Sequence, residues 1–183
     1  MRTRLRVQAA DVLYHVTSRG VDRQRIFGVV DGDRAVFHAL LARTVDRYGW
    51  NLHAYCLMGN HFHLVFDTPG ANIAAGMQHL KSTYALWFNG GRPREGCLFE
   101  RRYFSRVVED EWGAAEVCRY VVLNPVRARL CRHPADWAWS SYRASAGIID
   151  VPPFLRCDLL HELVGGSRKY AAFVAAGLAL PGV

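Results

Sequence analysis

Leu57–Phe66, LMGNHFHLVF, is the stretch that most narrows what this chain can fold into. After a Gly-Asn turn signal the residues alternate at a period of two. On a strand, residues i and i+2 point the same way, so Phe62, Leu64 and Phe66 form one face and His61 and His63 share the other. The apolar face must be laid against other elements of a core. The two imidazoles stand roughly 6–7 Å apart at the backbone. Two ring nitrogens at such a spacing can hold one divalent metal ion. The same spacing also suits two ordinary sheet histidines, and His-x-His by itself does not choose between them.

Around this run the chain alternates strand and helix patterns. Residues 10–18, ADVLYHVTS, alternate as a first strand, with Val12, Tyr14 and Val16 on one face and Leu13, His15 and Thr17 on the other. Arg19-Gly20 ends it and leads into a loop that adds Arg23 and Arg25. Asp31-Gly32-Asp33 opens a helix that continues through Tyr48 and is stopped by Gly49. Trp50–Met58 reads as a second strand and His61–Asp67 as a third, joined as an antiparallel hairpin. Ala71–Asn89 is the clearest helix, because Ile73, Met77, Leu80, Tyr84, Trp87 and Phe88 fall on one stripe. Gly90–Gly96 is a basic loop, and Leu98–Val108 reads as a fourth strand. Glu109–Leu123 is a helix expected to stop before Asn124-Pro125. The aromatic segment 137–145 is expected to pack on the main body, and residues 158–176 to form a last amphipathic helix.

Strand, helix, strand, strand, helix, strand is the split β-α-β order of a ferredoxin-like α+β sandwich. One antiparallel sheet then carries the helices, with the histidine pair on a central strand. The length suits a single domain over residues 1–183, with a core at about 10–145 and a helical extension at about 146–183.

The charge balance points to a partner. The chain carries 23 Lys+Arg against 16 Asp+Glu, a formal net charge of +7, and only Lys81 and Lys169 are lysines. An arginine-dominated excess favours a polyanion, nucleic acid first, because guanidinium groups suit bidentate phosphate and base-edge contacts. A hydrophobic fraction of 51% excludes a disordered tail. The five cysteines are scattered without a Cys-x-x-Cys, which speaks against a zinc ribbon or disulfide framework and fits a reducing cytosol. No apolar run nears the ~20 residues that span a bilayer. The N-terminal arginines are not followed by a signal-peptide core. A cytoplasmic protein with no membrane partner is therefore expected.

A two-histidine metal site in a basic protein suggests phosphoryl chemistry, the metal drawing charge from a non-bridging oxygen. There is no Walker loop and no Ser/His/Asp order. Tyr84 is a candidate nucleophile because its helix must lay its stripe on the sheet; the same stripe suits a plain core tyrosine. Lys81, one turn earlier, is a candidate for lowering the phenol pKa or for binding phosphate, and equally reads as a surface lysine.

Six ordered segments carry a resemblance: HVTSRG (15–20), YCLMGNHFHLVF (55–66), MQHLKSTYALWFN (77–89), LFERRYFSRVV (98–108), YVVLNPVRARL (120–130) and WAWSSY (137–142). Together they resemble the single-tyrosine HUH transposases, and more narrowly the REP-associated tyrosine transposases (RAYT) of bacteria. The resemblance implies a metal-dependent enzyme that cleaves and rejoins single-stranded DNA beside hairpins through a 5′-phosphotyrosine intermediate. It implies that His61 and His63 bind Mg²⁺ or Mn²⁺ and that Tyr84 is the nucleophile. Relatives often take a third metal ligand one turn past the tyrosine. After Tyr84 that place is Phe88, which cannot ligate; Asn89, Gln78, His15 and water are the alternatives. Arg19, Arg23, Lys81, Arg101, Arg102 and Arg127 are the expected DNA contacts, with Tyr103, Phe104 or Trp87 as possible stacking partners for unpaired bases. A monomer is expected, with a dimer that exchanges tyrosine helices as the other possibility. The rival readings are a non-catalytic, domesticated hairpin-binding protein of the same fold, a metal hydrolase that activates water, and an RNA-binding protein.

Overall fold

The computed structural model describes residues 8–90 and 96–178. Residues 91–95 of the expected basic loop, with Arg92 and Arg94, lie outside the described residues. Four strands, β1 (Leu13–Arg19), β2 (Asn51–Leu57), β3 (His61–Asp67) and β4 (Phe104–Val107), form one sheet in the order β2-β3-β1-β4. Every neighbouring pair is antiparallel. With α1 (Asp33–Tyr48) between β1 and β2 and α2 (Ile73–Asn89) between β3 and β4, this is the expected ferredoxin-like arrangement, and β3 is central.

The two faces of the sheet are covered by different elements. Phe62, Leu64 and Phe66, with Tyr14 and Val16 of β1, pack against Phe37 and Leu41 of α1 and Ile73, Met77 and Leu80 of α2. On the opposite face Ala54, Cys56 and Val65 pack under Cys118, Val121 and Val122 of a third helix, α3 (Glu111–Arg127). The WAWSSY segment does pack on the body: Trp137 Nε1 donates to the Leu57 carbonyl and Leu57 N–H to the Trp139 carbonyl. It leads into a short α4 (Tyr142–Ser145). The expected last helix is two, α5 (Asp158–Val164) and α6 (Ser167–Ala176). Gly165 and Gly166 separate them at φ of +84° and +102°, where glycine carries no Cβ penalty. Leu160, Tyr170 and Val174 of this pair join the cluster beneath α3.

Two boundaries differ in ways that matter for the site. The fourth strand is shorter than Leu98–Val108, because Phe99 makes a separate bridge to Gly20 and the chain turns through 100–103 before pairing again. More consequentially, α3 does not stop before Asn124 but runs through Pro125 to Arg127. Proline removes the N–H that would bond to the Val121 carbonyl. The Asn124 carboxamide compensates, with Nδ2 2.8 Å from the Tyr120 carbonyl and 3.4 Å from that of Val121.

Tyr84 lies on the face of the sheet away from the histidines. Its side chain is fully buried among Phe27, Phe37 and Phe99. Its hydroxyl donates to the Ile26 carbonyl at 2.5 Å. The expectation that Tyr84 meets the histidine pair is therefore corrected: its stripe covers the apolar face, and the sheet itself stands between. Lys81 is buried on the same side, donating to the Arg101 carbonyl with its ammonium 4.6 Å from the Phe99 ring centroid. Asn89, at the end of α2, donates to the Gly96 carbonyl at 3.3 Å instead of reaching the histidines. Replacing Tyr84 by Phe leaves the Ile26 carbonyl without this buried donor. Urea unfolding is expected to show a loss of about 1–2 kcal/mol; an unchanged midpoint would contradict the core role.

Candidate active site

The pairing of β1 with β3 assembles the site. Arg19 stands opposite His61, Thr17 opposite His63 and His15 opposite Val65. Residues directly opposite share a face, so His15, Thr17 and Arg19 stand with the histidine pair. The β4 pairing places Phe104 opposite Thr17 and Arg106 opposite His15 on that same face. Over the histidines passes α3, which presents Tyr120 and Asn124. The result is a cleft of about 560 Å³ lined by the three histidines, Thr17, Arg19, Phe104, Tyr120 and Asn124 together with Ser18, Glu100, Arg101 and Tyr103.

Within it the aromatic groups are close. The His61 and His63 ring centroids are 5.0 Å apart, and those of His15 and His63 are 5.3 Å apart and stacked. The Tyr120 ring presents edge contacts to both His63 at 5.8 Å and His15 at 5.9 Å. Tyr120 is 36% exposed, whereas Tyr84 is 0% exposed. Tyr120 thus combines access to solvent with contact to the histidines, and Tyr84 has neither.

A hydrogen bond fixes which ring nitrogen His61 can offer, and His63 offers Nε2 in the tautomer whose Nδ1–H donates to His15. Asn60 Nδ2 lies 3.1 Å from the Arg23 carbonyl, which can only accept, so Oδ1 is the atom turned to His61. His61 Nδ1 therefore donates to Asn60 Oδ1 at 2.6 Å and keeps its lone pair on Nε2. His63 Nδ1 lies 3.0 Å from His15 Nε2. Its own Nε2 is buried with no hydrogen-bond partner among the described residues. The same logic orients Asn124: its Nδ2 faces the Tyr120 carbonyl, so Oδ1 is the atom free to face the cleft.

Burial keeps these imidazoles neutral. It lowers the His61 pKa to about 4, with the Arg19 charge adding to the effect, and the His15 pKa to about 4, with Arg106 adding. His63 is held well below its ordinary value by burial first, then by His61, His15 and Arg19. Neutral imidazole is the form that ligates metal. Among the described residues no group of three or more His, Cys, Asp or Glu side chains is disposed to hold a metal ion. The ring nitrogens these contacts leave over are His61 Nε2 and the orphaned His63 Nε2, while His15, whose Nε2 meets His63, orients that one ring.

Of the expected DNA contacts, Arg19 and Arg101 line the cleft. Arg23 and Arg102 are exposed beside it in sequence. The Arg127 guanidinium stands 5.3 Å over the Tyr120 ring. Lys81, on α2, does not line the cleft: it is buried on the other side of the sheet, with its ammonium on the Arg101 carbonyl. Sequence reasoning missed Tyr120 and Asn124. Their signal was a Tyr and an Asn four residues apart, one turn of a helix, hidden because Pro125 was read as ending that helix too early.

The chain matches the family described as Transposase IS200 like over residues 8–124, more than half of its length. A Haemophilus influenzae protein assigned as a REP-associated tyrosine transposase is 26% identical over 117 residues, covering 58% of this chain and 66% of that relative. The chain thus spans just under two thirds of that relative's length. Among solved structures, a REP-associated tyrosine transposase bound to a REP hairpin superposes with a TM-score of 0.71 at 12% identity, over 87% of this chain and 93% of that one. This is a likeness of fold. No described helix is long and apolar enough to cross a membrane. The chain belongs to the IS200-like transposase family, and the relatives it resembles are REP-associated tyrosine transposases.

Proposed function

We propose that the protein is a metal-dependent DNA strand transferase with Tyr120 as its nucleophile, acting on single-stranded DNA beside a hairpin. The observation that carries this reading is the position of Tyr120, half-exposed over the cleft with its ring against His63 and His15. Asn124 lines the cleft one turn further along α3, with its Nδ2 on the Tyr120 carbonyl, and one turn past the tyrosine is where the resemblance leads us to expect a third metal ligand. Two neutral imidazoles and one amide oxygen make a mixed nitrogen–oxygen donor set, which suits a transition-series ion such as Mn²⁺ better than the oxygen-preferring Mg²⁺. His61, His63 and Asn124 would hold the ion, which when bound draws charge from a non-bridging phosphate oxygen.

This chain's own residues supply the rest. The Tyr120 hydroxyl forms a bond to phosphorus, the bond from phosphorus to the 3′ oxygen breaks, and the phenol proton passes through solvent to the departing 3′-hydroxyl. Attack by another 3′-hydroxyl reverses the step, so the phosphodiester energy is conserved and no nucleotide is consumed. Arg19 and Arg101 offer phosphate contacts in the cleft. Asn60 and His15 hold the two ligand imidazoles by their Nδ1 atoms. Because α3 packs on its own sheet, one chain supplies the whole cleft, which supports action as a monomer.

Incubation of a labelled single-stranded hairpin oligonucleotide with Mn²⁺, followed by denaturing electrophoresis, tests the nucleophile. Tyr120→Phe is expected to abolish the covalent adduct, while Tyr84→Phe retains it; the opposite pattern would return the role to Tyr84. Adduct formation is expected to vanish with EDTA and to fall at least about 100-fold in His61→Ala or His63→Ala. Asn124→Ala should weaken Mn²⁺ binding about 10- to 100-fold, as judged by calorimetry without DNA. Unaltered Mn²⁺ affinity in that variant would exclude Asn124 from the ligand set.

A further inference from the structure

Phe104 stands out on the catalytic face. It is 63% exposed, on the edge strand β4, and it lines the cleft. Register puts it in one row across the sheet with Thr17, His63 and Cys56. Its ring is therefore about 10 Å from the His63 column, two strand spacings of roughly 4.8 Å each. The β2–β3 half of this face lies under α3, whereas Phe104 stands over the β1–β4 half, beside Thr17 and Arg101. Arg106 follows two residues later on the same face and is also exposed.

We infer that Phe104 is a stacking platform for one unpaired base of the DNA strand whose phosphate lies at the histidine pair. This rests on the function proposed above and adds a base-binding subsite to it. A nucleotide with its phosphate near His61 and His63 extends its base sideways over β1, toward the Phe104 ring. An exposed aromatic on an open sheet surface provides a flat apolar face that any base can cover. The surrounding charge matches a nucleic-acid occupant: Arg19 and Arg101 line the same cleft and Arg106 flanks the ring, with Glu100 as the one carboxylate among the lining groups, paired to Arg101 at 3.5 Å. Stacking of this kind is tolerant of base identity, because every base has a π-face.

The test compares two hairpin oligonucleotides with the same phosphates, one with thymidine in its single-stranded flanks and one with abasic spacers there. Wild type is expected to bind the thymidine form about tenfold more tightly. Phe104→Ala should lose most of that preference while binding the abasic form as wild type does, and Phe104→Trp should keep it. A preference that survives in Phe104→Ala, or is retained fully by Phe104→Leu, would overturn the stacking role. Absence of any preference in wild type would overturn it too. None of these outcomes bears on the Tyr120 adduct, which is read separately.

Discussion

The pleat of β3 sends His61 and His63 one way and Phe62, Leu64 and Phe66 the other. A side chain on one face of a sheet cannot be approached from behind it, so whatever packs on the apolar face is excluded from the chemistry. Helices α1 and α2 take the apolar face, and with them Tyr84 and Lys81 are buried away from the histidines. Helix α3 takes the other face and brings the second tyrosine. Which tyrosine meets the histidines is decided by which helix covers which side, and Tyr120 is on the covering helix.

Charge and burial then act together in the cleft. Burial disfavours protonation of the imidazoles, and the Arg19 charge, which suits a nucleic acid, acts in the same direction. The histidines remain neutral donors inside a cationic surface. Both imidazoles of the pair are held through their Nδ1 atoms, His61 by Asn60 and His63 by His15. Asn60 reaches both ways, since its amide also grips the carbonyl of Arg23 in the basic loop after β1. Asp22 and Arg23 in that loop have φ of +51° and +57°, a conformation unfavourable for side-chain-bearing residues without such an anchor.

The last turn of α3 shows a local rule yielding to a side chain. Pro125 reads as a helix stop, yet the Asn124 carboxamide replaces part of the lost hydrogen bonding and the helix continues. The same contact turns Oδ1 of Asn124 outward on the turn after Tyr120. The helical extension also braces this helix: Tyr170 and Val174 of α6 pack in its cluster, and Phe173 lies 4.3 Å beneath the Arg119 guanidinium. Residues beyond the family match therefore help to set where the tyrosine helix lies.

The succession of strands and helices along the chain, the hairpin at Gly59-Asn60, the two faces of β3 and the sharing of one face by His61 and His63 were all determined by the sequence. Each depends on period-two or helical alternation and on turn residues, which act between near neighbours in the chain. The side taken by His15, the burial of Tyr84 and Lys81, and the meeting of Tyr120 with the histidines were decided only by tertiary structure. Tyr84 and Tyr120 each sit in a helix with an apolar face, and the alternation within a helix does not state which side of a sheet that helix will cover. That choice is made by long-range packing: Phe62, Leu64 and Phe66 accept α1 and α2, and Ala54, Cys56 and Val65 leave a shallower face on which α3 can rest with Tyr120 at its open margin.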